Sequence, residues 1–178
     1  DGDKMPGARF FPRARLNFAE NLLRGEGDED ALVFWGEDAV RRRMGRDELR
    51  DLAARLAAAL RSMGVVAGDR VAAFIPNLPE AIIGMLASAS IGAAWSSCSP
   101  DFGVQGVVDR FGQIEPKVLI CADGYRFKGK WIDSLERVAR FLPQLPTVEH
   151  VIVAGYAGSR ADITSLAKAI GSVRGDEN

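Results

Sequence analysis

The chain is poor in the side chains that most often build a catalytic centre. Its 178 residues include one histidine, His150, two threonines, Thr147 and Thr164, and two cysteines, Cys98 and Cys121. A single histidine and the lack of a G-x-S-x-G motif argue against a hydrolase that uses a serine or cysteine nucleophile. Two isolated cysteines form neither a disulfide framework nor the ligand spacing of a zinc site. We therefore expect both cysteines to be buried free thiols.

Loops that cradle phosphate are missing as well. The sequence contains neither G-x-G-x-x-G nor G-x-x-x-x-G-K-[ST], and two threonines are too few for a Thr- and Ser-rich nucleotide loop. From the residues alone we assign no catalytic residue and no metal ligand.

Charge of one sign is not in excess either. Lysine and arginine total 23 against 24 aspartate and glutamate, a net charge of −1, so the balance favours neither nucleic acid nor an anionic membrane as a partner. The longest apolar stretch, residues 81–95, is interrupted by glycine and serine and is shorter than the roughly 20 residues that a membrane span needs. The first residues are polar and lack the apolar core of a signal peptide. We expect a cytoplasmic globular protein.

Hydrophobic periodicity predicts an α/β fold, with a mostly parallel sheet flanked by helices and preceded by a short hairpin. A short helix capped by Asn17 comes first, and residues 31–35 and 40–44 form the predicted hairpin. A long helix follows at residues 47–63, and we expect its arginines to form a solvated face. Strands at 70–75, 93–97, 118–122 and 150–154 then alternate with helices at 79–90, 101–113 and 131–142, the second of them capped by Asp101.

The end of the chain predicts an incomplete unit. A last helix is predicted at residues 162–170, but only a polar tail follows it, and no strand uses that helix as a crossover. We therefore divide the chain into an extension at residues 1–30 and a partial α/β subdomain at residues 31–178.

Two segments have a composition suited to ligand binding. Residues 96–102 form a small polar loop between a strand and a helix, where open α/β sheets bind ligands and where a helix start favours anions. Residues 125–130 combine three cations with two aromatic rings, which suits an anionic, partly aromatic ligand such as a nucleotide. Each segment also has a purely structural interpretation. Residues 96–102 could be a plain turn between a strand and a helix, and residues 125–130 could be a solvated charged loop.

The same segments carry a family resemblance. Residues 5–23 (MPGARFFPRARLNFAENLL) and 91–102 (IGAAWSSCSPDF) resemble motifs of acetoacetyl-CoA synthetases. Residues 68–72 (GDRVA) and 76–81 (PNLPEA) are similar to motifs of adenylate-forming enzymes in general, and residues 109–117 and 123–130 continue the likeness. The resemblance covers the chain up to about residue 156.

This resemblance implies an acid–thiol ligase that uses ATP, Mg²⁺ and coenzyme A. In that family a carboxylate attacks ATP to give an acyl-adenylate, and the coenzyme thiol then displaces AMP. The family's phosphate loop and catalytic lysine belong to later segments that these 178 residues do not contain, so we expect this piece to be inactive alone. Part of the coenzyme A site is implied at Ser99, Pro100 and Asp101. The resemblance further implies that Arg126 and Lys130 bind the coenzyme's 3′-phosphate.

Several alternatives remain open at this point. The ligase acts on acetoacetate or on another short-chain acid, because later segments build most of the acyl pocket. Two alternatives are not enzymes. One is a non-catalytic module that binds coenzyme A or a nucleotide, and the other is a purely structural interaction protein. If absent segments of the same enzyme normally cover one side of this unit, the exposed apolar surface would promote self-association.

Overall fold

The computed structural model describes residues 3–4, 6–25, 27–37 and 40–156. The helix predicted at 162–170 and the polar tail lie outside the described residues. In chain order the elements are α1 (Phe18–Leu22), β1 (Asp30–Trp35), β2 (Arg41–Gly45), α2 (Arg46–Ser62), β3 (Arg70–Phe74), α3 (Pro79–Ser90), β4 (Ala94–Cys98), α4 (Val104–Ile114), β5 (Val118–Ala122), β6 (Gly124–Phe127), β7 (Lys130–Asp133), α5 (Leu135–Phe141), a short 3-10 helix (Leu142–Gln144) and β8 (His150–Ala154).

A four-stranded parallel sheet organises the fold, as predicted. Its strand order is β4-β3-β5-β8, and every neighbouring pair is parallel. Side chains alternate between the two faces of each strand. Phe74 of β3 packs on one face with residues of α4 and α5, whereas Val71 packs on the other with residues of α2 and α3. The sheet is thus covered on both sides, which explains why every residue of β5 is buried.

The N-terminal segment is attached to this unit by side chains that bind backbone carbonyls. Asn17 caps α1 as predicted, accepting a hydrogen bond from the backbone of Glu20. Its amide nitrogen also donates to the carbonyls of Ala89 and Ser90 at the end of α3, at 3.3 and 3.1 Å. The prediction of a solvated arginine face on α2 is wrong for Arg50. Its guanidinium donates to the carbonyls that follow α1, including that of Leu23 at 3.2 Å.

The helix predicted at residues 131–142 begins late, at Leu135. The segment before it forms a second hairpin, in which β6 pairs antiparallel with β7. Lys128 and Gly129 make the two-residue turn, with φ values of 50° and 74°. Positive φ at both turn residues is typical of the turn that joins tightly twisted strands. Strands of four residues are too short for their alternation to be distinguished from one turn of helix.

Asp101 does not cap α4, contrary to the prediction. The helix begins at Val104, and Gly103 is the N-terminal cap residue, with no side-chain hydrogen bond. The Asp101 carboxylate is used elsewhere, as described below. Among the described helices, none combines the length and the apolar character that crossing a membrane requires.

Candidate functional site

A cleft of about 480 Å³ lies where the parallel strands end and the two hairpins approach each other. Residues 75–78 follow β3, and residues 97–101 end β4 and lead away from it. The hairpins contribute residues 34–37 and 125–127, and Tyr156 completes the lining. Ligands of open α/β sheets bind at this end of the strands, where connecting loops meet. The position and the size of the cleft both suit a small-molecule site.

The loop after β4 forms one wall, and Asp101 organises it. One Asp101 carboxylate oxygen accepts a hydrogen bond from the Tyr125 hydroxyl at 2.9 Å, and the other accepts from the Ser99 hydroxyl at 3.1 Å. The Asp101 backbone N–H donates back to the Ser99 hydroxyl oxygen at 3.3 Å. Pro100, between them, is buried. The three predicted residues of this loop therefore share one wall of the cleft.

Tyr125 brings the second hairpin to that wall. Its ring is buried, whereas its hydroxyl reaches the exposed Asp101. Burial raises the pKa of the Tyr125 phenol, and the neighbouring Asp101 carboxylate raises it further, while Arg137 acts in the opposite direction. The phenol therefore stays protonated at neutral pH and acts as a hydrogen-bond donor. Arg137 of α5 also donates to the carbonyl of Pro100.

The two predicted phosphate-binding cations are separated by the pleat of the hairpin. Arg126 is exposed and lines the cleft, whereas Lys130 is exposed but is absent from its lining. In the register of this hairpin, Arg126 faces Trp131 and Phe127 faces Lys130. Directly paired residues share a face and adjacent residues alternate, so Arg126 and Lys130 project from opposite faces. The cleft lining includes Arg126 and not Lys130, although Phe127, on the same face of the hairpin as Lys130, also lines it.

Several lining residues were not identified from the sequence. Trp35 and Glu37 come from the end of the first hairpin, and a Glu37 carboxylate oxygen accepts a hydrogen bond from the backbone N–H of Lys128 at 2.6 Å. Tyr156 lies between rings of both hairpins, with its centroid 5.9 Å from that of Trp131 and 6.3 Å from that of Phe34. No local sequence pattern indicates these contacts. Glu37 and Lys128 are 91 residues apart in the chain, and Tyr156 is about 25 residues from Trp131 and about 120 from Phe34.

Both cysteines are buried free thiols, as predicted. Burial raises the pKa of the Cys98 thiol from 9.0 to about 11, against a smaller opposite effect of Arg110. Burial and, to a lesser extent, the Asp123 carboxylate raise the pKa of the Cys121 thiol to about 12. Cys98 lines the cleft, but a thiol with this pKa is not an activated nucleophile at neutral pH.

We expect both thiols to react slowly with iodoacetamide in the folded protein. A pKa of about 11 instead of 9.0 leaves roughly a hundredfold less Cys98 thiolate at pH 8 than in the unfolded chain. Cys121, fully buried, should react more slowly still. Mass spectrometry of alkylated peptides from native and urea-unfolded protein measures both rates. A native Cys98 that reacts as fast as the unfolded one would contradict the assignment.

The side chains of the cleft are suited to holding a ligand more than to breaking bonds. Arg126 offers charge-assisted hydrogen bonds to an anion, and the exposed side chains of Trp35 and Phe127 offer apolar contact. The one thiol in the lining is protonated. Within the described residues, no group of three or more His, Cys, Asp or Glu side chains is arranged to hold a metal ion.

Comparison with known proteins agrees with this architecture. A curated acetoacetyl-coenzyme A synthetase from Rhizobium meliloti (strain 1021) is 59% identical over 163 residues, covering 90% of this chain and 24% of that protein. The acetoacetyl-CoA synthetase of Danio rerio is 43% identical over 169 residues, covering 92% of this chain and 24% of that protein. This chain therefore spans about a quarter of the length of these relatives.

A solved structure agrees with them. The acetoacetyl-CoA synthetase from Streptomyces lividans superposes with a TM-score of 0.82 at 46% sequence identity, covering 88% of this chain and 25% of that one. A family profile described as AMP-binding enzyme matches residues 18–172. Since that match takes in most of the chain, the two hairpins and the whole parallel sheet included, the chain belongs to the AMP-binding enzyme family.

Proposed function

We propose that this chain supplies part of the coenzyme A site of an acid–thiol ligase. The whole protein would convert acetoacetate, ATP and coenzyme A to acetoacetyl-CoA, AMP and pyrophosphate. The acetoacetyl-CoA synthetases to which the chain is similar support this substrate set. A ligase for another short-chain acid is the neighbouring possibility, since a quarter of the relatives' length leaves most of an acyl pocket to other segments.

The observation that carries the proposal is the meeting of two separate segments in one cleft. Ser99, Pro100 and Asp101 line it from the end of β4, and Arg126 lines it from the second hairpin. The proposed role of Arg126 is to bind the 3′-phosphate of the coenzyme, because a guanidinium can donate two parallel hydrogen bonds to phosphate oxygens. The loop around Pro100 would lie against the coenzyme and exclude water from one side of it.

Lys130 keeps a secondary role in the proposal. Lys130 is absent from the cleft lining, but it pairs with Phe127, which lines the cleft, next to the exposed turn at Lys128 and Gly129. A phosphate held at this turn would be attracted to Lys130 as a point charge at longer range. Its contribution to binding should therefore be smaller than that of Arg126.

ATP and Mg²⁺ would be used by the whole enzyme. When bound, Mg²⁺ and ATP supply the activated α-phosphate that turns the acid into an acyl-adenylate. The described part of this chain contributes no carboxylate cluster for the metal, so no step of that chemistry is assigned to its residues. The proposed task of these residues is to bind and orient the coenzyme.

Isothermal titration of coenzyme A and of dephospho-coenzyme A into this chain tests the proposal. We expect the 3′-phosphate to tighten binding about tenfold or more, the usual value of a charge-assisted hydrogen-bonded pair. Arg126→Ala should erase the difference between the two ligands, and Lys130→Ala should reduce it only in part. Arg55→Ala is the matched control, because Arg55 is an exposed arginine on α2, paired with Asp51 and outside the cleft lining.

The outcomes separate clearly. Equal affinity of the unmodified chain for both ligands would remove Arg126 from the phosphate site. If Arg55→Ala lost as much affinity for coenzyme A as Arg126→Ala, the change in net charge would explain the effect and a phosphate site at Arg126 would not. An unmodified chain that binds neither ligand would contradict the proposed function of this cleft.

A further inference from the structure

The two walls of the cleft belong to separate sheets. The loop at residues 99–102 leaves the four-stranded parallel sheet, whereas β6 and β7 pair only with each other. Strand pairing and the one-residue link at Asp123 place β6 beside the end of β5, but no backbone hydrogen bond joins the described hairpin to the loop at residues 99–102. Side-chain contacts are therefore what hold the loop against the hairpin.

Two such contacts converge on the loop. The Tyr125 hydroxyl donates to the Asp101 carboxylate at 2.9 Å, and the Arg137 guanidinium donates to the carbonyl of Pro100. Tyr125 precedes Arg126 directly in β6, and Arg137 belongs to α5, which follows β7. The loop is thus held at two consecutive residues, by Tyr125 of the hairpin and by Arg137 of the helix that packs on the parallel sheet.

The Tyr125 hydroxyl is unusual because it extends from a buried ring to an exposed acceptor. The residue is 7% exposed although it lines the cleft, so its ring is largely packed and a phenylalanine would fill the same space. The hydroxyl, by contrast, makes its hydrogen bond to a carboxylate on the surface of the cleft. Packing therefore accounts for an aromatic ring at this position, but not for its hydroxyl group, whose observed partner is Asp101.

Both carboxylate oxygens of Asp101 are engaged, which suits a positioned group. Both of its carboxylate oxygens accept hydrogen bonds, from Tyr125 and from Ser99, and its backbone N–H returns to the Ser99 hydroxyl. Arg137 lies close enough to Tyr125 to oppose the rise of its pKa, so a positive charge stands beside the phenol that donates to the carboxylate. Charge-assisted hydrogen bonds of this kind are stronger than neutral ones.

We propose that Tyr125 and Asp101 are a positioning pair that holds the Ser99–Pro100 wall at a fixed distance from Arg126, so that one coenzyme molecule meets both. The inference rests on the proposed function and deepens it. Tyr125 acts through Asp101 and needs no contact with the ligand. Because the loop is already ordered, less conformational entropy is lost when the coenzyme binds, and the affinity is higher.

Tyr125→Phe tests the pair with little effect on packing. We expect it to weaken binding of coenzyme A and dephospho-coenzyme A by the same factor, about tenfold, as for a lost hydrogen bond to a charged group. The preference for the 3′-phosphate should be unchanged, because Arg126 is intact. Arg126→Ala should do the reverse and remove the preference.

A double-mutant cycle with rescue distinguishes positioning from general destabilisation. Asp101→Ala and Tyr125→Phe should each weaken binding, and the double variant should be no weaker than either single one. Asp101→Asn should recover part of the loss seen in Asp101→Ala, because its amide oxygen still accepts the Tyr125 hydrogen bond, although without the charge. Independent losses that multiply in the double variant, or no rescue by asparagine, would overturn the proposal.

Hydrogen exchange of the free protein supplies the readout that needs no ligand. The backbone N–H of Asp101 bonds to Ser99 Oγ and that of Phe102 to the Ser99 carbonyl. We expect both to exchange several-fold faster in Tyr125→Phe than in the unmodified chain, with peptides of β5 unchanged. If Tyr125→Phe leaves exchange of these amides unchanged, the positioning pair is wrong, even when the unmodified chain binds coenzyme A. If exchange is faster but the unmodified chain does not bind coenzyme A, the positioning pair holds and the proposed function is wrong.

Discussion

Replacing Gly124 with alanine is expected to lower the free energy of unfolding by about 3 kcal/mol, the upper part of the range for overpacked sites. The φ angle of Gly124 lies outside the left-handed region, so an alanine could adopt this backbone. The obstacle is space. A Cβ at this position would lie 2.6 Å from the carbonyl oxygen of Ile132 and 2.7 Å from Cε2 of Trp131. The backbone oxygen belongs to the paired strand and cannot move without opening the hairpin.

The measurement is urea unfolding of the variant, followed by circular dichroism. Trp131→Ala in the Gly124→Ala background should recover part of the loss, because it removes the indole and leaves the carbonyl in place. Trp131→Ala alone measures the cost of the missing ring. A Gly124→Ala variant with an unchanged urea midpoint would show that Trp131 and β7 do not lie against this glycine. Loss of the hairpin would also separate Arg126 from the cleft, so coenzyme binding should fall with stability.

The sheet was predictable because its elements have strong patterns. The helix at residues 79–90 begins at a proline, and its bounds agree with α3. The strands at 118–122 and 150–154 agree with β5 and β8, since short apolar runs between turn signals are typical of buried parallel strands. The hairpin of β6 and β7 was missed because its main signal is a positive φ at Lys128, which residue preferences do not indicate.

The site was predictable only where neighbouring residues in the chain stay neighbours in space. Ser99, Pro100 and Asp101, which the family resemblance implied, are consecutive, so a single loop brings all three to one wall of the cleft. The assignment of Asp101 as a helix cap was wrong, because its real partner, Tyr125, is 24 residues away. Lys130 was grouped with Arg126 by the family resemblance, and the two residues lie on opposite faces of a hairpin that had not been predicted.

Gly84→Ala is expected to destabilise the protein by about 2 kcal/mol, although it replaces a glycine inside a helix. Alanine in a helix interior is normally favoured over glycine by about 1 kcal/mol. At Gly84 a Cβ would lie 2.6 and 2.8 Å from two ring atoms of Trp95 and 3.3 Å from Ile120. Overpacking against a rigid indole costs about 3 kcal/mol, which outweighs the gain in helix propensity.

Gly112→Ala is the matched control for this prediction. Gly112 lies in α4, and a Cβ added there would meet no other part of the fold within 4 Å, so the same substitution should stabilise by about 0.5 to 1 kcal/mol. The double variant Gly84→Ala/Trp95→Leu should be more stable than the sum of its single changes by at least about 1 kcal/mol, because a smaller side chain makes room for the methyl group. Equal stabilisation by Gly84→Ala and Gly112→Ala would contradict the contact.

This pair also explains Trp95, which belongs to the segment at residues 91–102 that carries part of the family resemblance. Trp95 stands just before the serine-rich loop, yet it is absent from the cleft lining, and its ring lies on Gly84 of α3. A glycine in the helix and a tryptophan in the adjacent strand fit each other, and neither tolerates change alone. The segment at residues 91–102 therefore combines packing residues, which set the distance between α3 and β4, with the loop residues proposed to meet the coenzyme. Substitution at Trp95 should accordingly alter stability first, and affect coenzyme binding only through the position of the loop.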